Sequence, residues 1–119
     1  MNLVYVFLGG GLGAACRWLL SSQLMSNSEF PYGTLAVNLL GCFIIGIASV
    51  YLVQQPKLSL FMLVGFLGGF TTFSSFGLDA LHMLSSSDYK NFAIYVGMSN
   101  IVGILLVIVG HKLGTFLTA

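Results

Sequence analysis

Four long apolar runs, nearly free of charge, leave this chain few ways to fold. They cover roughly residues 3–22, 32–53, 58–84 and 91–116. A spanning helix needs about 20 mostly apolar residues. Four spans therefore occupy most of the 119 residues, and the remainder suffices only for short connections. Backbone groups in hydrocarbon must be paired within the protein, which restricts spans to helices or closed barrels. Barrel strands alternate apolar and polar residues, whereas these runs are continuous. The expected fold is therefore all-α integral membrane, with residues 1–119 forming a single four-helix transmembrane domain.

Charge points to the same solvent. Only 6% of the residues are charged and 57% are apolar, against roughly 25% charged in soluble domains. The lipid bilayer is thus the partner that composition requires. A net charge of +1 without a basic tract excludes nucleic acid as a partner. Residues 1–15 lack the basic n-region of a signal peptide, so the first run is expected to remain as a helix. Cys16 and Cys42 lie in apolar runs and are expected as free thiols. Neither a nucleophile–base constellation nor a cofactor fingerprint is visible, so an enzyme is not expected.

The connections are brief. A polar segment over 23–31 ends at Pro31, which opens the second span. Gln54–Lys57 makes a tight turn, and Ser85–Asp88 is a loop able to cap the last helix. Gly9 and Gly13 form a G-x-x-x-G pair, which permits close approach of another backbone.

The third run is the irregular one. Its middle, Gly65-Phe-Leu-Gly-Gly-Phe-Thr-Thr-Phe-Ser-Ser-Phe-Gly77, is a poor continuous helix, since Gly, Ser and Thr are all unfavourable in helix interiors. The reading is a third helix broken mid-membrane, tolerated only where protein or a water-filled cavity surrounds it.

Polar residues within spans default to functional hypotheses. Asn38 serves either as a helix–helix hydrogen bond or as a donor lining a pore. Phe70, Phe73 and Phe76 recur every three residues, a spacing usual for packing. Aromatic rings also carry a positive edge, which would favour a small anion without a fixed charge. Thr71, Thr72, Ser74 and Ser75 either bond the freed backbone or replace an ion's hydration shell. Carbonyls exposed at such a break coordinate cations in transporters. Asp79 is expected in an aqueous vestibule or paired with Arg17; with His82 it offers too few ligands for a metal. Ser99 and Asn100 add polarity to the fourth span.

Orientation is balanced. Lys57 and Lys112 fall on one side of the membrane, Arg17 and Lys90 on the other. An excess of Lys and Arg ordinarily marks the cytoplasmic side. Without one, the chain is expected to insert both ways, so that two opposed copies pair about an axis in the membrane plane. Many transporters reach this symmetry through inverted repeats in a single chain.

The run from Gly65 to Phe76 resembles the signature of the CrcB/Fluc fluoride channels. So do Gly9-Gly10-x-x-Gly13-x-x-x-Arg17 and Thr34-x-x-x-Asn38-x-x-Gly41, and the resemblance covers essentially the whole chain. It implies an antiparallel dual-topology dimer in the cell (inner or plasma) membrane that passively exports fluoride from the cytoplasm and relieves its toxicity. By motif position it implies a fluoride pathway of Asn38, Phe73, Phe76, Ser74, Ser75 and Thr72. It further implies a structural Na+ held by the backbone carbonyls of Gly68 and Thr71, and supporting charge from Arg17 and Asp79. Asp79 stands where the family usually has Glu, keeping the charge and shortening the reach. Some members form heterodimers with a paralogue; the balanced charges and intact motifs here favour a homodimer.

The rival reading is a small proton-coupled multidrug exporter, which has similar dimensions. That mechanism needs an acid buried in the first span, and the one charged residue there is Arg17, the wrong sign for a cationic drug. A structural or lytic protein would not need Asn38 and clustered hydroxyls inside its spans.

Overall fold

The computed structural model describes residues 1–24 and 30–118. Most of the polar connection expected after the first span, with Ser26, Asn27, Ser28 and Glu29, lies outside the described residues. Among those described, every regular element is helical. Four helices are long and apolar enough to cross a membrane: Asn2–Leu24, Tyr32–Tyr51, Pro56–Ser85 and Tyr89–Thr118. The long dimension of the fold, 47 Å, matches a bilayer of about 40–45 Å including its headgroups.

Helix α1 is Asn2–Leu24 and α2 is Tyr32–Tyr51. The third span comprises α3, residues 56–70, and α4, Phe73–Ser85. Helix α5 is Tyr89–Thr118. Two stretches wind as π-helix, Leu60–Leu67 in α3 and Met98–Val102 in α5. Such turns shift the face that later residues present and recur at functional sites.

Local chemistry sets the helix ends. Pro31 precedes α2 and Pro56 begins α3, positions where the missing N–H costs nothing. The turn before α5 passes through Ser87, whose φ of 59° is the left-handed conformation. Asp88 then caps α5: its Oδ1 accepts from the Asn91 N–H at 3.3 Å and its Oδ2 from Asn91 Nδ2 at 2.8 Å.

The helices pack in two pairs, α1 along α3 and α2 along α5. Small residues bring the backbones together. A Cβ on Gly69 would lie 2.5 Å from the Gly10 carbonyl oxygen, and one on Gly13 would strike the Phe66 carbonyl. In the other pair, a Cβ on Gly46 would strike the Val107 carbonyl. Lipid is as apolar as leucine, so helix association relies on this close packing rather than on hiding apolar surface. Large apolar side chains such as Leu3, Phe7, Ile104 and Phe116 accordingly point outwards. A small core of Leu35, Met83 and the wholly buried Tyr95 joins α2, α4 and α5, and Phe76 packs against it.

Candidate functional site at the interruption of the third span

Helical conformation ends at Phe70. Thr71 (φ −90°, ψ 159°) and Thr72 (φ −150°, ψ 123°) are extended, and the helix resumes at Phe73. The glycines of the run do not unwind: Gly68 and Gly69 stay helical, and Gly69 serves the close approach of α1.

Ending a helix inside a protein frees backbone groups that require partners. The Thr71 N–H and Oγ1 both donate to the Leu67 carbonyl, at 3.1 and 3.0 Å. Arg17 Nε, reaching across from α1, donates to the Gly69 carbonyl at 3.0 Å. Asn38, on α2, makes two bonds to a single residue: its Nδ2 donates to the Thr72 carbonyl at 2.9 Å, and its Oδ1 accepts from the Thr72 N–H at 2.8 Å. The Thr72 Oγ1 caps α4 by accepting from the Ser75 N–H at 3.1 Å, and lies 3.3 Å from Ser74 Oγ.

Beside these bonds opens a cavity of about 330 Å³. Asn38, Gly41, Cys42 and Ile45 of α2 line it, with Leu67 and Gly68 of α3, Thr71, Thr72, Phe73 and Phe76 at the interruption, and Ser99 and Asn100 of α5. Ser99 Oγ is buried there without a hydrogen-bond partner, and the π-helical turn Met98–Val102 carries both Ser99 and Asn100. Asn100 Nδ2 donates to the Val96 carbonyl at 2.9 Å.

The sequence candidates distribute unevenly around this cavity. Asn38, Thr72, Phe73, Phe76, Gly68 and Thr71 all line it; Ser74, Ser75, Arg17 and Asp79 do not. The Phe73 and Phe76 rings lie 5.5 Å apart at 41°. Phe70 leaves the aromatic stripe. It is buried and stacks on Phe66 at 6.0 Å, because two extended residues break the helical register between it and Phe73. Arg17 and Asp79 are not paired with each other. Arg17 goes to the Gly69 carbonyl, while Asp79 Oδ2 accepts from the Tyr95 hydroxyl at 3.0 Å. Cys42 and Ile45 were not among the sequence candidates, and Gly41 stood only as a motif glycine, although all three follow Asn38 by one and two turns of the same helix face.

Fold and site together define a polytopic helical membrane protein with a donor-bearing cavity at a non-helical stretch of one span. The chain belongs to the CrcB-like protein family, Camphor Resistance (CrcB), whose sequence profile matches residues 4–111. It is 38% identical to the fluoride-specific ion channel FluC of Hydrogenobaculum sp. (strain Y04AAS1), over 98% of this chain and 100% of that one. It is 44% identical to the fluoride-specific ion channel FluC of Hahella chejuensis (strain KCTC 2396), over 94% of this chain and 93% of that one. With the fluoride-specific ion channel FluC 1 of Staphylococcus aureus (strain bovine RF122 / ET3-1) it shares 42% identity, over 96% of this chain and 97% of that one.

Proposed function

We propose that this multi-pass membrane protein is a fluoride-selective channel that lets F− leave the cytoplasm passively. Neutral HF crosses lipid and dissociates at cytoplasmic pH, so the anion is trapped unless a selective leak returns it down its electrochemical gradient. The observation that carries the reading is the cavity at Thr71–Thr72, where donors and aromatic rings converge, in a chain whose relatives are named as fluoride channels.

Fluoride is small and strongly hydrated, so a pathway must replace its water with short donors. Ser99 Oγ has no partner within the protein. Asn38 Nδ2 retains a second N–H after serving Thr72. The edges of the Phe73 and Phe76 rings add partial positive charge without a fixed cation to hold the ion in place. Thr72, Ser74 and Ser75 form the polar stretch at the mouth of α4.

The working unit in this reading is an antiparallel homodimer. Phe73 lines the cavity yet is 80% exposed on the single chain, as a wall awaiting a second copy would be. Balanced Lys and Arg permit both orientations. The backbone at the break also suits a structural Na+. Because the Thr72 N–H is bonded to Asn38, the Gly68 carbonyl lacks the donor a continuous helix would bring it, and the extended Thr71 carries its carbonyl out of the helical ladder. Carbonyls of unwound helix are the oxygen ligands that hold Na+ in transporters. A sodium ion there would supply positive charge at the C-terminal end of α3, and Arg17 and Asp79 would support the surrounding structure.

The test is fluoride efflux from liposomes containing purified protein, followed with a fluoride electrode beside a chloride control. Fast fluoride release with chloride retained is expected; no fluoride release from a confirmed dimer would overturn the reading.

A further inference from the structure

We infer that Asn38 is the positioning residue that holds the third span open, by standing in for both backbone partners of Thr72. In an uninterrupted α-helix the Thr72 N–H would donate to the Gly68 carbonyl, and the Thr72 carbonyl would accept from the Phe76 N–H. Asn38 takes both places, at 2.8 and 2.9 Å, from 34 residues away in sequence. A carboxamide carries a donor and an acceptor side by side, as a backbone partner does; only glutamine shares this, with one more methylene.

Local signals favour the break without fixing it: Thr72 Oγ1 caps α4 at the Ser75 N–H, and Gly, Ser and Thr are weak helix formers. The third span contains no proline after Pro56. Gly68 and Gly69 remain helical, and the dihedrals of Thr71 and Thr72 lie in the ordinary extended region. Threonine tolerates that region well, but tolerance does not fix one conformation. The contact from α2 does.

The exchange has a consequence at the cavity. With the Thr72 N–H bonded to Asn38, the Gly68 carbonyl loses its helical donor, and Gly68 lines the cavity. One amide thereby exposes an acceptor to cations on the α3 side. The role deepens the channel reading and rests on it only for the ions involved; the backbone claim stands by itself.

The test is the backbone carbon chemical shifts of Thr72 in isotope-labelled protein in bilayers, measured beside fluoride efflux. Wild type should give extended values. Asn38→Leu, which keeps the number and branching of side-chain heavy atoms but cannot bond, should move Thr72 into the helical range and abolish fluoride release. An assembled Asn38→Leu protein with Thr72 still extended and flux lost would overturn the inference while leaving the channel reading intact. Helical Thr72 in Asn38→Leu, with wild-type liposomes that release no fluoride, would uphold the inference and remove the channel reading. If Asn38→Leu does not fold, Asn38→Asp decides. It keeps an acceptor for the Thr72 N–H but loses the amide donor, so Thr72 should stay extended while its carbonyl shift moves. An unchanged carbonyl shift would overturn the proposal.

Discussion

The Tyr95 hydroxyl donates to Asp79 Oδ2 at 3.0 Å and so ties α5 to α4 beside the interrupted span. Tyr95 is wholly buried, and its ring lies 5.1 Å from that of Phe76. One side chain therefore satisfies a half-buried carboxylate and backs a ring of the cavity. Tyr95→Phe keeps the ring and strands the carboxylate. Polar bonds between membrane helices average about 0.6 kcal/mol and reach about 1.7, and Asp79 is only half-buried. The expected loss is about 0.6–1.7 kcal/mol, read as a lower melting temperature of the solubilised protein. A melt unchanged by this substitution would show that the bond contributes nothing.

The bond from Arg17 Nε to the Gly69 carbonyl puts a cation at the C-terminal end of α3, where the helix dipole favours one. Arg17→Met should destabilise the fold by about 1–3 kcal/mol through the abandoned carbonyl. Arg17→Lys should recover part of that, since an ammonium donates but lacks the fixed fork of guanidinium. The ranking wild type, Lys, Met in thermal unfolding is the measurement. Equal melting of all three would strip Arg17 of this role.

The four spans were legible because solvent dictates them: continuous apolar runs in a chain with so few charges have one fold class open to them. The residues around the cavity were legible in part, since polar groups inside spans are costly and draw notice; Asn38, Thr71 and Thr72 are of this kind. What escaped was the partner of each. Asn38 reads equally well as a free donor or a helix-to-helix bond, and only the three-dimensional approach of α2 to Thr72 shows where its amide is spent. Arg17 and Asp79 attract each other on paper, but a carbonyl at a helix end and a tyrosine on α5 lie within bonding distance instead. The aromatic stripe misleads in the same way: period counting assumes an unbroken helix, and the extended pair sends Phe70 to the core beside Phe66.

Two glycines of α1, two residues apart, should respond in opposite ways to the same change. A Cβ on Gly13 would collide with the Phe66 carbonyl and sit 2.9 Å from the Phe70 N, both rigid backbone, whereas one on Gly11 meets nothing within 4 Å. Gly13→Ala should force α1 and α3 apart and reduce assembled protein severely, since overpacking of this kind costs about 1–3 kcal/mol or more. Gly11→Ala should be neutral or gain up to about 1 kcal/mol from helix propensity. Size-exclusion profiles of the two variants decide it, and matching profiles would mean that the α1–α3 approach is not close.

Phe73 and Phe76 share the cavity wall but not the core, and this separates transport from stability. Phe73 is 80% exposed on the single chain; Phe76 packs on Tyr95 and on the Leu35–Met83 cluster. Isoleucine in either place keeps apolar volume while removing the ring edge, and aromatic pairs contribute about 0.5–1.5 kcal/mol beyond area. Both Phe73→Ile and Phe76→Ile should cut fluoride efflux from liposomes while the protein still folds. Phe76→Ile should lower the melting temperature more, because it gives up the contacts with both Tyr95 and Phe73, whereas Phe73→Ile gives up only the one with Phe76. Wild-type efflux in both variants would remove the rings from the pathway. Efflux lost only in Phe76→Ile, together with a lower melt, would assign that residue to packing and leave Asn38 and Ser99 as the groups the ion meets.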